Sequence, residues 1–123
     1  MREEVKKNSG FLVMFKFAAE GIVYSFRTQR NMRIHFAVAV LVLFLAAFLH
    51  LSKSEFIYLL FAIFLVLIAE MINSAIELAV DLHSLEYHPL AKAAKDVSAG
   101  AVLLAAVNSV ITGILIFYPY LLK

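Results

Sequence analysis

Three stretches of the chain, residues 34–52, 56–69 and 97–122, contain no Asp, Glu, Lys or Arg. At a rise of 1.5 Å per residue, about 20 helical residues cross the roughly 30 Å of bilayer hydrocarbon, so runs of this length suit a membrane rather than a soluble core. The 123 residues are 63% apolar and 16% charged, against about 45–50% and about 25% in ordinary soluble domains. The expected fold class is therefore an all-α membrane protein. A net charge of +2 gives no reason to expect a nucleic-acid partner. Cysteine is absent, which removes disulfides, thiolate metal sites and cysteine nucleophiles.

Residues 1–10 are polar and end in Asn8-Ser9-Gly10, unlike the charged start of a cleaved leader, so they read as retained. Apolar residues then recur at helical spacing (Phe11, Met14 and Phe15, Ala18, Ile22, Phe26), while Lys16, Glu20 and Arg27 interrupt them. This pattern predicts an amphipathic helix over 10–27, lying on the membrane surface. Spans are expected at 34–52, at 55–84 with a water-exposed extension, and at 91–121, with residues 52–55 as a polar hairpin connection. No repeat or low-complexity tract divides the chain, which reads as a single domain over 1–123. Nine of the 11 basic residues fall before the first span or between the second and third. By the positive-inside rule, the N-terminus is cytoplasmic and the C-terminus external.

The second span carries the chemistry. At 100° per residue, Glu70, Asn73, Glu77 and Asp81 fall within an arc of about 80° on one helical face. Counting about 20 residues from Phe56 puts Glu70 roughly one turn inside the hydrocarbon boundary, with Glu77 and Asp81 just outside. A carboxylate at that depth costs about 2.5–3.5 kcal/mol on insertion scales and requires partners or a task. Glu77 and Asp81, one turn apart, suit a hard divalent cation such as Mg²⁺, which usually keeps waters and substrate phosphates among its ligands. A second cluster comprises Glu86, Tyr87 and His88, then Lys92, Lys95 and Asp96. Lys95 lies near a helix start that already favours anions. A base at lipid depth beside a metal-bound polyphosphate site describes a lipid kinase.

Plainer readings exist for several of these residues. Glu70, Glu77 and Asp81 can serve as polar glue between helices of an oligomer, although three carboxylates without basic partners repel. Lys95 and Asp96 alone describe a solvated helix start. His35 and His50 bracket the first span and, with His83, read as interfacial residues. Ser98, Ala99, Gly100 and Ala101 read first as a small-residue packing surface. The four glycines form no phosphate-binding loop, and neither a zinc helix nor a nucleophile elbow occurs.

The run Glu70-Met71-Ile72-Asn73-Ser74-Ala75-Ile76-Glu77-Leu78-Ala79-Val80-Asp81, with Glu86-Tyr87-His88 and Ala94-Lys95-Asp96, resembles the signature of the small bacterial membrane kinases that include diacylglycerol kinase and undecaprenol kinase. The resemblance covers nearly the whole chain from about Gly10. Arg27-Thr28-Gln29-Arg30-Asn31-Met32-Arg33-Ile34-His35 is similar to the Gram-positive branch, whose members tend to phosphorylate undecaprenol. The resemblance implies a homotrimer in a bacterial plasma membrane, with sites shared between subunits at the cytoplasmic interface. It implies Glu70 as general base on the lipid hydroxyl, Asn73 in support, and Arg33 with Glu70 on the lipid side. Glu77 matches the metal ligand and faces the nucleotide. Glu86, Tyr87, His88, Lys95 and Asp96 match the ATP site, and Asp81 supports it. Gln29 stands where many members carry a second metal-binding carboxylate, leaving one neutral oxygen in its place.

The activity expected is MgATP-dependent phosphorylation of a membrane lipid alcohol, with undecaprenol ahead of diacylglycerol. The rival class is a small proton-coupled transporter using Glu70 as its carboxylate, which leaves the 86–96 cluster without a role. A regulatory or assembly subunit leaves both polar clusters unexplained.

Overall fold

The computed structural model describes residues 10–122 as four helices: α1 (Phe11–Thr28), α2 (Arg30–Phe48), α3 (Lys53–His83) and α4 (Pro89–Leu121). The expectation for the N-terminal residues before Gly10 lies outside the described residues. The last three helices are long and apolar enough to cross a membrane. α1 leaves Phe11, Leu12, Met14 and Phe15 exposed.

The corner between α1 and α2 is a single extended residue, Gln29. Its N–H donates to the Ser25 carbonyl at 2.9 Å, and its carbonyl accepts from the Arg33 N–H at 3.4 Å. Arg33 Nη1 then donates to the carbonyls of Phe26 and Arg27, both at 3.0 Å, satisfying acceptors that the end of α1 leaves open. Phe26 meets Phe36 edge-to-face across the bend, with ring centroids 4.9 Å apart. α2 thus starts at Arg30, ahead of the uncharged run. Hydropathy marks where hydrocarbon begins, whereas the helix continues for as long as its backbone bonds are satisfied.

At the other end of α2, His50 adopts φ 56°, the left-handed region. The His50 N–H bonds to the Ala47 carbonyl and the Leu51 N–H to the Ala46 carbonyl, a Schellman closure that usually employs glycine. The connection to α3 is therefore Leu49–Ser52 rather than residues 52–55. Ser52 Oγ accepts from the Glu55 N–H, and the Glu55 carboxylate accepts from the Ser52 N–H. This reciprocal capping box makes Lys53, Ser54 and Glu55 the first turn of α3.

With 31 and 33 residues, α3 and α4 are about 46 and 50 Å long, well beyond the hydrocarbon thickness. They pack antiparallel. At the α3 start, Ala46, Leu59, Ile116 and Phe117 form the buried apolar cluster, and Tyr120 donates to Glu55 beside it. α2 leans on α3 and stands away from α4. The gap is an apolar groove of about 660 Å³, with His35 and Val42 on α2, Val66 on α3, and Ser109, Gly113 and Phe117 on α4 among its walls.

Candidate active site

Glu70 lies in the middle of α3 and is 2% exposed, the largest fully buried side chain among the described residues. Its Oε2 is 3.8 Å from His35 Nε2, and Ser74 Oγ donates to its carbonyl at 3.0 Å. One turn on, the buried Asn73 accepts on Oδ1 from Ser98 Oγ of α4 at 2.6 Å. The Ser98 hydroxyl also lies 3.0 Å from the Lys95 carbonyl. Asn73 is thereby held against α4, with its amide oriented by a buried bond.

Further along the same face burial declines. Glu77 is half-buried and Asp81 exposed, and Lys95 Nζ reaches Asp81 Oδ1 at 2.7 Å. Asn73–Ser98 and Asp81–Lys95 thus fasten α3 to α4 at two levels, with Glu77 between them along the helix. Along this face, burial against the other helices falls from Glu70 to Asp81.

The turn between α3 and α4 is ordered by its own side chains. The Glu86 N–H donates to Ser84 Oγ at 3.0 Å. His88 caps α4, its Nδ1 accepting from the Leu90 N–H at 3.1 Å, and Pro89 occupies the first turn, where its missing N–H costs nothing. Tyr87 is exposed, and Asp96 pairs with Lys92 on an exposed face. The 86–96 cluster and the lower part of the α3 face therefore adjoin at one end of the helical pair, joined by the Lys95–Asp81 ion pair.

Gln29 and Arg33 sit at the α1–α2 corner, where Arg33 caps α1 as described. Among the described residues, no three His, Asp or Glu side chains converge as a metal-ion site. Mg²⁺ requires only one or two protein carboxylates when substrate phosphates and water supply the rest. The Glu77 carboxylate and the Gln29 amide oxygen are hard donors of the type that ion takes.

Two residues emerge differently from their sequence reading. His35, expected as an interfacial residue, lies against Glu70 and lines the apolar groove. Nothing in the α2 sequence signals this, because it depends on how α2 crosses α3. Ser98, expected in a packing stripe, is a buried hydrogen-bond partner of Asn73. A lone hydroxyl entering an apolar helix is its only local signal.

A buried carboxylate thus lies against His35, which lines an apolar groove, in a chain whose last three helices are long and apolar enough to cross a membrane. The chain belongs to the prokaryotic diacylglycerol kinase family: residues 16–117 match the family described as Prokaryotic diacylglycerol kinase. It is 44% identical to the undecaprenol kinase of Bacillus subtilis over 111 residues, covering 90% of each chain. It is 43% identical to the diacylglycerol kinase of Synechocystis over 128 residues, 99% of this chain and 73% of that one. With the diacylglycerol kinase of Escherichia coli the identity is 30% over 115 residues, 91% and 94% of the two chains. The enzyme class is a lipid kinase embedded in a bacterial membrane.

Proposed function

We propose that the protein transfers the γ-phosphoryl group of MgATP to undecaprenol, yielding undecaprenyl phosphate at the cytoplasmic face of the plasma membrane. The observation that carries this reading is Glu70, a buried carboxylate beside His35, which lines the mouth of an apolar groove. A lipid lying in that groove presents its hydroxyl near a buried carboxylate able to accept its proton. Glu70 takes the proton as the hydroxyl oxygen attacks Pγ; the bond from Pγ to the β-bridging oxygen breaks and ADP departs. Asn73, oriented by Ser98, supports the base and the incoming oxygen. Lys95, Glu86, Tyr87, His88 and Asp96 hold the nucleotide at the α4 start, where the helix dipole favours phosphate. Asp81 positions Lys95 through their ion pair. Glu77 and the Gln29 oxygen would hold Mg²⁺, which supplies neutralisation of phosphate charge. Arg33 acts on the lipid side from the α1–α2 corner. The working unit is a homotrimer with sites shared between subunits and the N-terminus cytoplasmic, a direction favoured by the basic residues.

Undecaprenol is favoured by the similarity to the Bacillus subtilis enzyme and by the Arg27–His35 stretch. The Synechocystis relative's name supports diacylglycerol as the second acceptor. The deciding experiment supplies purified protein in lipid vesicles with labelled ATP and either undecaprenol or diacylglycerol. Faster labelling of undecaprenol is expected. Faster labelling of diacylglycerol replaces the acceptor, and no labelled lipid from either overturns the kinase reading.

A further inference from the structure

Glu70 has an unsolved problem in the reaction just described. Having taken a proton from the lipid hydroxyl, it is a neutral acid that must be ionised again before the next turnover. At 2% exposure it has almost no direct access to water. The neighbouring polar side chains do not solve this. Ser74 Oγ already donates to the Glu70 carbonyl, and Asn73 is bonded to Ser98. An amide does not carry protons at neutral pH.

His35 differs in both position and chemistry. Its Nε2 is 3.8 Å from Glu70 Oε2, and its side chain is 27% exposed while that of Glu70 is 3%. It stands between the buried carboxylate and the more open groove. It also lines the groove beside Ile34 and Val38, close to where the acceptor hydroxyl would enter. Imidazole is the side chain whose ordinary pKa lets it accept and release a proton near neutral pH. The separation exceeds a hydrogen bond, but a rotation that closes it by about 1 Å, or one bridging water, brings it into range. Such lengthening is common before substrates bind.

We infer that His35 is the proton exit of Glu70, a positioning residue that acts through the base rather than on the lipid itself. This rests on the kinase reading above. After phosphoryl transfer, the Glu70 carboxylic O–H breaks and its proton passes to His35 Nε2, leaving carboxylate and imidazolium. The imidazolium then releases a proton to interfacial water. No oxidant or further reactant is involved, and each cycle returns both groups to their starting state.

The other ionisable side chains on the surrounding elements do not offer the same route. Arg33, on α2, is engaged by the α1 carbonyls and does not deprotonate. On α1 they are Lys16, Glu20, Tyr24 and Arg27, and Glu77 lies two turns beyond Glu70 on α3. On α4, Lys95 is paired with Asp81, while Tyr118 lines the groove.

The test uses the full chain in lipid vesicles and compares wild type with His35→Ala and His35→Gln. Gln keeps bulk and polarity but cannot relay a proton, so it reports if Ala perturbs folding. Both variants are expected to lose at least about tenfold in kcat, with the KM for ATP within about twofold of wild type. Added free imidazole should restore the rate of His35→Ala, and the shape of the kcat–pH profile should change in both variants. His35→Gln with wild-type kcat and pH profile overturns the inference, and so does a rate loss that imidazole leaves untouched. Wild type that phosphorylates neither lipid removes the kinase reading and the inference together. Active wild type with a silent His35 removes the inference alone.

Discussion

At Glu70, burial and chemistry make opposing demands. Burying a carboxylate is costly, yet Glu70 is 2% exposed, with His35 set 3.8 Å from it. Such an expense is tolerated at a reacting centre. Glu70→Gln preserves shape and most polarity while removing the base, so lipid phosphorylation should fall below a few per cent of wild type. The oligomer should elute unchanged in size-exclusion chromatography, and substantial residual turnover would exclude Glu70 as base. Gln29 poses a separate question of charge, since an amide oxygen is a weaker partner for Mg²⁺ than a carboxylate. Gln29→Glu should lower the Mg²⁺ concentration giving half-maximal rate. An unchanged titration places that side chain outside the metal's ligands.

Among elements, the pairing of α3 with α4 assembles the proposed site. Neither helix holds it alone: α3 contributes Glu70, Asn73, Glu77 and Asp81, and α4 contributes Lys95, Asp96 and Ser98. The Asn73–Ser98 bond sets their register at the buried level. Ser98→Ala leaves the buried Asn73 oxygen without this donor, and interhelical bonds of this type contribute about 1 kcal/mol. A loss of that order in denaturant unfolding is expected, together with a lower kcat as Asn73 loosens. Ser98→Thr, which keeps the hydroxyl, should recover much of both. Equal activity in Ser98→Ala would mean that Asn73 needs no orientation. The helix ends show how local chemistry can outrank composition. Ser52 and Glu55 look like a polar loop, yet their reciprocal capping bonds begin a helix.

For the whole molecule, the unresolved demand is the large apolar surface that α2, α3 and α4 turn outward, including Phe44, Leu104 and Leu115. Lipid can cover it, and so can neighbouring copies of the chain. If sites are shared between subunits, two inactive variants defective in different parts should complement one another. Glu70→Gln mixed with Lys95→Ala before reassembly should regain activity, while each alone stays inactive. No recovery after verified subunit exchange would indicate that each site belongs to one chain.

The class of fold was legible in the sequence because it follows from one-dimensional spacing. Uncharged runs mark the spans, and residues 70, 73, 77 and 81 share a helical face whatever that helix packs against. What only the tertiary structure decided depends on how different helices meet. His35 reaches Glu70 because α2 leans on α3, Ser98 reaches Asn73 across a sequence separation of 25, and the groove exists because α2 stands away from α4. Helical periodicity specifies angles within one element. It contains no information about the crossing of two, which is settled by side-chain packing between them.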